Sequence, residues 1–171
     1  MRLRRVVRAG LQGAVAGAVG TLAMDALWYA RYRKGGGTSR FGAWETAAGT
    51  TSYDGAAAPA LTGQRMMQLV LHRDPPASSA RAMTNAVHWS TGVSWGAMYG
   101  VATAVVDGLN PVVGGLGLAT VAWGSSYVVL PPLGVYKPIW KYDVPTLLKD
   151  ASAHVVYGLT TATVMSVAGR S

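Results

Sequence analysis

The sequence predicts an all-α protein, an integral membrane four-helix bundle with a short interfacial helix in its long first loop. Three observations predict this fold. Half of the 171 residues are apolar and only 13% are charged, too few to coat a soluble globule. Four apolar stretches are each long enough to cross ~30 Å of hydrocarbon. Six tryptophans and eight tyrosines stand against one phenylalanine, which is typical of aromatic belts at membrane interfaces.

The first apolar span covers residues 9–30, carries one charge at Asp25 and follows the basic octet MRLRRVVR. Its length and the poor cleavage site AMDA favour a retained helix over a signal peptide. The other spans cover residues 83–106, 111–133 and 150–168. Glycine, alanine, serine and threonine fill all four spans, and such small residues favour close approach between helices. The chain is therefore predicted to form a single membrane domain, residues 1–171.

The longest connection, residues 31–82, is predicted to be a loop that contains one helix. The segment LTGQRMMQLVLHR, residues 61–73, is apolar over much of its surface and ends before the DPP at 74–76. Such a segment is typical of a helix that lies in the membrane interface. A tight turn is predicted at Asp107–Gly108 and Asn110–Pro111, between the second and third spans.

Two short segments resemble each other within the chain. AVHWSTG (86–92) and SAHVVYG (152–158) share a histidine, a three-residue gap and a glycine. If this similarity reflects duplication, the protein consists of two helical hairpins related by an axis along the membrane normal. Glycine and alanine patterns also recur by chance in small-residue helices, so the sequence leaves both interpretations open.

Each span carries small or polar residues at helical spacing. On the first span they are Ala14, Ala18, Thr21 and Asp25, and on the second His88, Gly92, Trp95 and Tyr99. On the third span they are Gly117, Thr120 and Gly124, and on the fourth Asp150, His154, Tyr157 and Thr161. Unpaired polar groups are costly in lipid, so these faces are predicted to converge inside the bundle. The predicted polar site consists of Asp25, His88, Tyr99, Asp150, His154 and Tyr157. Its two aspartates and two histidines are expected in one layer, on the side of the long loops.

Four roles are compatible with such a site. It can handle protons or a small polar solute. It can bind a metal ion, through Asp150 and His154 at i and i+4 with Asp25 and His88. It can hold a haem between His88 and His154, with the glycine four residues after each histidine making room for the ring. It can also serve only as hydrogen bonding between helices. No cofactor is required by the sequence.

Charge and motif content restrict the partners. The net charge is +8, and the basic residues flank apolar runs, which predicts contact with anionic lipid headgroups and not with nucleic acid. The absence of cysteine excludes disulfides and thiolate chemistry. No serine lies in a G-x-S-x-G elbow and no phosphate loop follows GGG at 35–37, so enzymatic activity is not expected.

Two kinds of protein then fit the chain. One is a small membrane protein whose polar site handles protons or a solute. The other is a non-catalytic accessory or scaffold subunit of a membrane complex. Four spans enclose little space, so most transport schemes would require a homodimer or a larger membrane complex.

Three segments carry a resemblance to a known family: NAVHWSTGVSWGAMYG, LPPLGVYKPIWKYD and KDASAHVVYG. The chain resembles the YagU-type family of bacterial inner-membrane proteins and its actinobacterial relatives over most of its length outside residues 35–60. Members share a Gly-rich first span, a histidine in the second and Asp-x-x-x-His in the fourth. The resemblance implies a multi-pass location in the bacterial inner membrane and a connection to acid tolerance, and it implies no catalytic residues.

Overall fold

The computed structural model describes residues 2–106 and 108–168, which are 77% helical and contain no strand. The α-helices are α1 (Arg2–Lys34), α2 (Phe41–Glu45), α3 (Ala58–Leu71), α4 (Ala80–Val105), α5 (Pro111–Val129) and α6 (Val144–Ala168). They form two compact units. The first contains the residues up to Trp28, Thr91–Ser125 and those from Asp143 onward; the second contains Tyr29–Ser90 and Ser126–Tyr142.

The four predicted spans coincide with the long helices α1, α4, α5 and α6, and the predicted interfacial helix coincides with α3. The third span was expected to reach residue 133, but α5 ends at Val129 because two prolines follow at 131 and 132. Among the described residues, two helices are long and apolar enough to cross a membrane: Leu3–Lys34, with a mean hydropathy of 1.3, and Pro111–Val129, with 1.5. The helices α4 and α6 are not among them.

The start of α5 is fixed by a side-chain cap. The Asn110 side-chain oxygen accepts hydrogen bonds from the N–H groups of Val112 and Val113, at 2.9 and 3.2 Å, and a proline takes the first helical position. The predicted turn leads into this cap. Gly108 has a φ of +72°, which glycine adopts without strain, whereas Asp107 lies outside the described residues.

Asp143 caps the start of α6 in the same way. Its carboxylate accepts hydrogen bonds from the Thr146 N–H at 2.7 Å and the Thr146 hydroxyl at 3.0 Å. These bonds stabilise the charged form and hold the pKa of Asp143 below its ordinary value of 3.8. The cap is therefore complete above that ordinary pKa, and it is lost as the pH falls through the lower pKa of the folded state.

Replacing Asp143 by alanine is expected to fray the first turn of α6. The protection factor of the Thr146 amide against hydrogen exchange should fall at neutral pH, whereas the parent protein should show that loss only in strong acid. Asp143→Asn keeps an acceptor and should retain protection without the acid dependence. Equal protection in the parent and the alanine variant would contradict the capping role.

The connection 31–82 is folded over much of its length, beyond the single helix predicted there. Tyr29, Tyr32, Phe41 and Trp44 form a cluster of rings whose centres lie 5.2–6.3 Å apart. The Tyr32 hydroxyl accepts hydrogen bonds from two backbone N–H groups of the turn after α1, at 3.1 and 3.0 Å. The end of α1, this turn and α2 thus form one packed element of the second unit.

Long-range hydrogen bonds join the connection to the start of α4. Arg81 and Asn85 both donate to the carbonyl oxygen of Thr46, each at 3.0 Å. The hydroxyls of Tyr53 and Ser79 lie 2.8 Å apart. These contacts join residues that are 26 to 39 positions apart in the chain, so the residue pattern within one segment cannot predict them.

Helix α3 packs on α4 through a glycine. A Cβ at Gly63 would collide with the side chain of Met83, so a larger residue there would require this side chain to move. Helix α3 also exposes four large apolar side chains, Met66, Leu69, Val70 and Leu71.

Candidate polar site

Glycines allow α1 and α4 to touch along their backbones in the first unit. Gly13 and Gly17 of α1 face Gly96 and Gly100 of α4. A Cβ on Gly13 would lie 2.9 Å from the Cα of Gly100, and a Cβ on Gly17 would lie 2.9 Å from the Cα of Gly96. Contacts this close require glycine on both helices. Since residue numbers rise along α1 as they fall along α4, the two helices are antiparallel.

Small and polar residues bring α6 against the same helices. A Cβ on Gly20 would lie 2.8 Å from the Tyr157 carbonyl oxygen, and one on Gly92 would collide with the Thr21 hydroxyl. The Tyr157 hydroxyl donates to the Gly92 carbonyl oxygen at 2.7 Å and so joins α6 to α4. Thr21, Tyr157 and Thr161 are all buried. Polar side chains therefore occupy the middle of this unit.

Replacing Tyr157 by phenylalanine should remove this link while the ring stays in place. The Gly92 carbonyl loses its side-chain donor, so the free energy of unfolding is expected to fall by about 1 kcal/mol. Denaturant titration of the protein in detergent micelles would measure the change. Thr163→Val removes an exposed hydroxyl whose only described bond is to the Leu159 carbonyl one turn back. An equal loss in both variants would contradict a bond between helices.

Two contacts fix the register of α1 against α6: Gly20 with Tyr157, and Trp28 with Lys149, whose Nζ lies 5.5 Å from the tryptophan ring centre. Both pairs of positions are eight residues apart, so α6 runs antiparallel to α1 between them.

The register places Asp25 between the levels of Asp150 and His154. Along α6, His154 and Asp150 lie three and seven residues from Tyr157, which contacts Gly20. Along α1, Asp25 lies five residues from Gly20. Two residues of helix correspond to about 3 Å along the axis. The buried Asp25, which is 4% exposed, therefore shares one layer of the first unit with the Asp150–His154 pair. The contacts at Gly20 and Trp28 lie on either side of Asp25 along α1, and together they define its level.

The Asp150–His154 pair has a defined hydrogen-bonding arrangement. His154 Nδ1 lies 3.1 Å from the Asp150 backbone carbonyl oxygen and 3.6 Å from a carboxylate oxygen of the same residue. A carbonyl only accepts, so Nδ1 carries the proton in that bond, and Nε2 is the basic nitrogen of the neutral ring. A second proton at Nε2 would give an imidazolium within ion-pair distance of the carboxylate. The His154 and Asp150 side chains are 20% and 18% exposed, so both can reach a proton donor or a solute.

Tyr99 lies away from this layer. Its hydroxyl packs against Gly114 of α5, where a Cβ would lie 2.6 Å from the hydroxyl oxygen. The neighbouring Gly100 faces Gly13, which precedes Asp25 by twelve residues, or about 18 Å of helix. Tyr157 lies nearer, one turn from His154 on α6. The two tyrosines predicted for the site therefore belong to different levels of the first unit.

His88 belongs to the second unit, where it is half-buried. A ring nitrogen of His88 and a carboxylate oxygen of Glu45 lie within 4.8 Å of each other. The His88 ring also meets the Trp89 ring at 80°, with centres 6.3 Å apart. Glu45 was absent from the predicted site because it lies in a five-residue helix 43 positions from His88, with no local pattern to connect them. A layer that includes His88 stays a prediction.

The two glycines expected to make room for a haem are occupied by protein. Gly92 is filled by the Thr21 hydroxyl, as described above. A Cβ at Gly158 would collide with the Gly115 carbonyl of α5 and would lie 3.0 Å from the Ala119 side chain. Neither glycine leaves space for a porphyrin, so the observation on which the haem alternative depended does not support it.

The metal alternative receives little support at α6. Among the described residues, no group of three ligand atoms at metal-binding spacing includes Asp150 or His154. The pair alone offers two ligands, whereas structural and catalytic zinc sites take three or four from the protein.

The buried face of α5 differs from the predicted one. Gly117 and Thr120 were expected to face the interior, but both are exposed, and a Cβ on Gly117 or Gly124 would meet nothing within 4 Å. The buried residues of α5 are Gly114, Gly115, Leu118, Ala119 and Ala122. Small residues occur on both sides of this helix, so their periodicity did not identify the packed side.

Comparison with known proteins gives no relative for this arrangement. No family model matches the chain, and neither a characterised protein nor a solved structure shows significant similarity to it.

Proposed function

We propose that the chain is a multi-pass protein of the bacterial inner membrane whose helices hold a carboxylate–histidine site that handles protons or a small polar solute. The observation that carries this proposal is the shared level of Asp25, Asp150 and His154 within the first unit. The four long helices would form an integral bundle, and α3 would lie in the interface.

The distribution of side chains supports the membrane location. The largest fully buried side chains are two threonines, Thr21 and Thr161. Large aliphatic side chains are exposed instead, as in the row Leu3, Val7, Leu11 and Val15 along α1. A soluble protein buries such residues, because each contributes about 1.5–3 kcal/mol on leaving water. Lipid removes that penalty, and a core of small and hydroxyl-bearing residues is typical of membrane helices.

The chemistry of the layer supports proton handling. His154 presents Nε2 as its basic atom, because Nδ1 donates to the Asp150 carbonyl oxygen. The Asp150 carboxylate lies 3.6 Å from the ring nitrogen Nδ1, and Asp25 supplies a second carboxylate at the same level. Ionisable groups inside membrane segments are costly and usually mark proton or solute pathways.

Two experiments test the proposal in order. The chain has no cysteine, so single cysteines can be introduced on the exposed side of α1, α4, α5 and α6. In cells, a cysteine at the centre of each helix should resist labelling by a membrane-impermeant maleimide, while a control at Ser39 or Lys137 should react on one side of the membrane. Labelling of all central positions would overturn the membrane location.

The second experiment measures flux. Purified protein in liposomes that contain a pH-sensitive dye should relax an imposed pH gradient faster than protein-free liposomes. Swelling of the same liposomes in a series of small polar solutes would measure solute entry. Comparison of the two measurements would separate proton handling from solute handling. If neither protons nor any solute cross faster than in protein-free vesicles, the proposal is wrong.

The exposed side of α3 favours a second candidate, the accessory or scaffold subunit. Met66, Leu69, Val70 and Leu71 form an apolar surface that a partner protein could cover instead of lipid. A co-purifying protein that is lost on Leu69→Ser with Val70→Ser, with membrane insertion intact, would favour this function. A homodimer is a further proposal, because four helices packed through glycines enclose little space for a pathway. Crosslinking of single-cysteine variants in membranes would test it.

The resemblance to the YagU-type family stays a prediction. If the chain is a relative of that family, a strain without it should survive acid exposure less well, and the gene should restore survival.

A further inference from the structure

A cavity of about 610 Å³ lies in the first unit where α1 begins. Three arginines of α1, Arg4, Arg5 and Arg8, line it and are exposed. Polar groups from other helices complete the wall: Tyr99 and Thr103 of α4 and Ser166 of α6. No acidic side chain occurs among the described residues that line it. The cavity is therefore positively charged through its arginines. The hydroxyls of Thr103 and Ser166 donate to the carbonyl oxygens of Gly100 and Thr163 in their own helices, at 2.7 and 2.8 Å.

An apolar groove adjoins the cavity and shares part of its wall. Leu3, Val7 and Leu11 form one side of this groove, and Arg4 and Arg8 form the other. The spacing is that of a helix, in which positions four apart lie above one another on one face. Two parallel rows thus run along the first three turns of α1, one of guanidinium groups and one of aliphatic side chains.

We propose that this cavity and groove bind one anionic phospholipid. Its phosphate would lie between the guanidinium groups of Arg4 and Arg8, whose planar forks match phosphate oxygens with paired hydrogen bonds. Its acyl chain would run from there along Val7 and Leu11 toward the predicted span, over side chains that are otherwise exposed. A single phospholipid would thereby neutralise the arginines and cover aliphatic side chains, whereas a free phosphate would leave the aliphatic row uncovered.

This proposal rests on the membrane location in the proposed function, but it does not depend on the proposed polar site. Arg8 precedes Asp25 by seventeen residues, or about 25 Å along α1, so the lipid and the polar layer lie at different levels. A parent protein that selects the anionic lipid but conducts neither protons nor solutes would overturn the proposed function alone. A parent protein that conducts but shows no lipid selectivity would overturn the present proposal alone.

Native mass spectrometry of the full chain, released from a mild detergent, would test the site. Phosphatidylglycerol and phosphatidylcholine with the same acyl chains are added at equal concentration. The parent protein should retain one phosphatidylglycerol in preference to phosphatidylcholine, and Arg4→Gln with Arg8→Gln should reduce that retention on the order of tenfold, as for loss of a charge-assisted hydrogen bond. The control Arg40→Gln with Arg73→Gln removes the same charge from exposed positions in the second unit and should retain the lipid.

Two further arms separate the alternatives. Arg4→Lys with Arg8→Lys keeps the charge without the planar fork, and it should retain less phosphatidylglycerol than the parent protein. Inorganic phosphate at millimolar concentration should not displace the lipid. Equal retention of the two lipids, an equal loss in the control variant, full retention in the lysine variant, or displacement by phosphate would each overturn the proposal.

Discussion

Replacing Gly96 by alanine is expected to lower the free energy of unfolding by about 3 kcal/mol, because the added methyl group overpacks a contact between two helix backbones. The added Cβ would collide with the Gly13 carbonyl and would lie 2.7 Å from the backbone nitrogen of Gly17. Both obstacles are backbone atoms of α1, so no side chain can turn away to make room. The helices must separate, and the neighbouring glycine contacts would loosen with them.

The matched control is Gly117→Ala on α5. Gly117 is also in the interior of a helix, but it is exposed and a Cβ there meets nothing within 4 Å. The same chemical change should stabilise the protein by up to about 1 kcal/mol, because alanine favours the helix. Denaturant titration or thermal unfolding in one detergent would compare the two variants. If both shift stability in the same direction, close approach of α1 and α4 does not stabilise this fold.

Replacing Asp25 by asparagine together with His154 by glutamine is expected to lower proton flux in liposomes about 100-fold, the range in which loss of a positioned acid or base group falls. Both substitutions keep size and hydrogen-bonding capacity but remove titration. The residual flux should no longer depend on pH, because neither replaced side chain can gain or lose a proton. His154→Gln alone should remove most of that dependence, and it provides a second test if the double variant folds poorly.

The matched control uses the same two chemical changes at exposed positions of the second unit, Asp54→Asn with His72→Gln. This control should conduct like the parent protein. Circular dichroism and gel filtration in detergent would establish that each variant is folded. Unchanged flux in a folded Asp25→Asn, His154→Gln protein would remove the proposed site, even if the membrane location holds.

Much of the helical framework follows from local sequence. The four apolar stretches predict α1, α4, α5 and α6, and the Met- and Leu-rich segment before DPP predicts α3, because apolar composition and proline act over a few residues. The start of α5 at Asn110 follows for the same reason. The pairing of Asp150 with His154 also follows, since residues four apart share a helix face whatever surrounds them.

The site itself follows only in part. That Asp25 lies level with Asp150 and His154 agrees with counting residues from the predicted ends of two spans. The different level of Tyr99, about 18 Å from that of Asp25 along α1, does not follow from that count. Helical spacing places Tyr99 and His88 on one face of α4, but residues on one face can differ widely in depth.

The sequence by itself determined which long segments are helices and which polar residues share a face within one helix. Only the tertiary structure decided that α5 turns Gly114 and Gly115 inward instead of Gly117, that α5 and Thr21 fill the glycines expected beside a haem, and that Glu45 approaches His88. The physical reason is that hydrogen bonding and capping act between near neighbours in the chain. The choice among several small-residue faces, by contrast, depends on which surface of another helix fits closely against it.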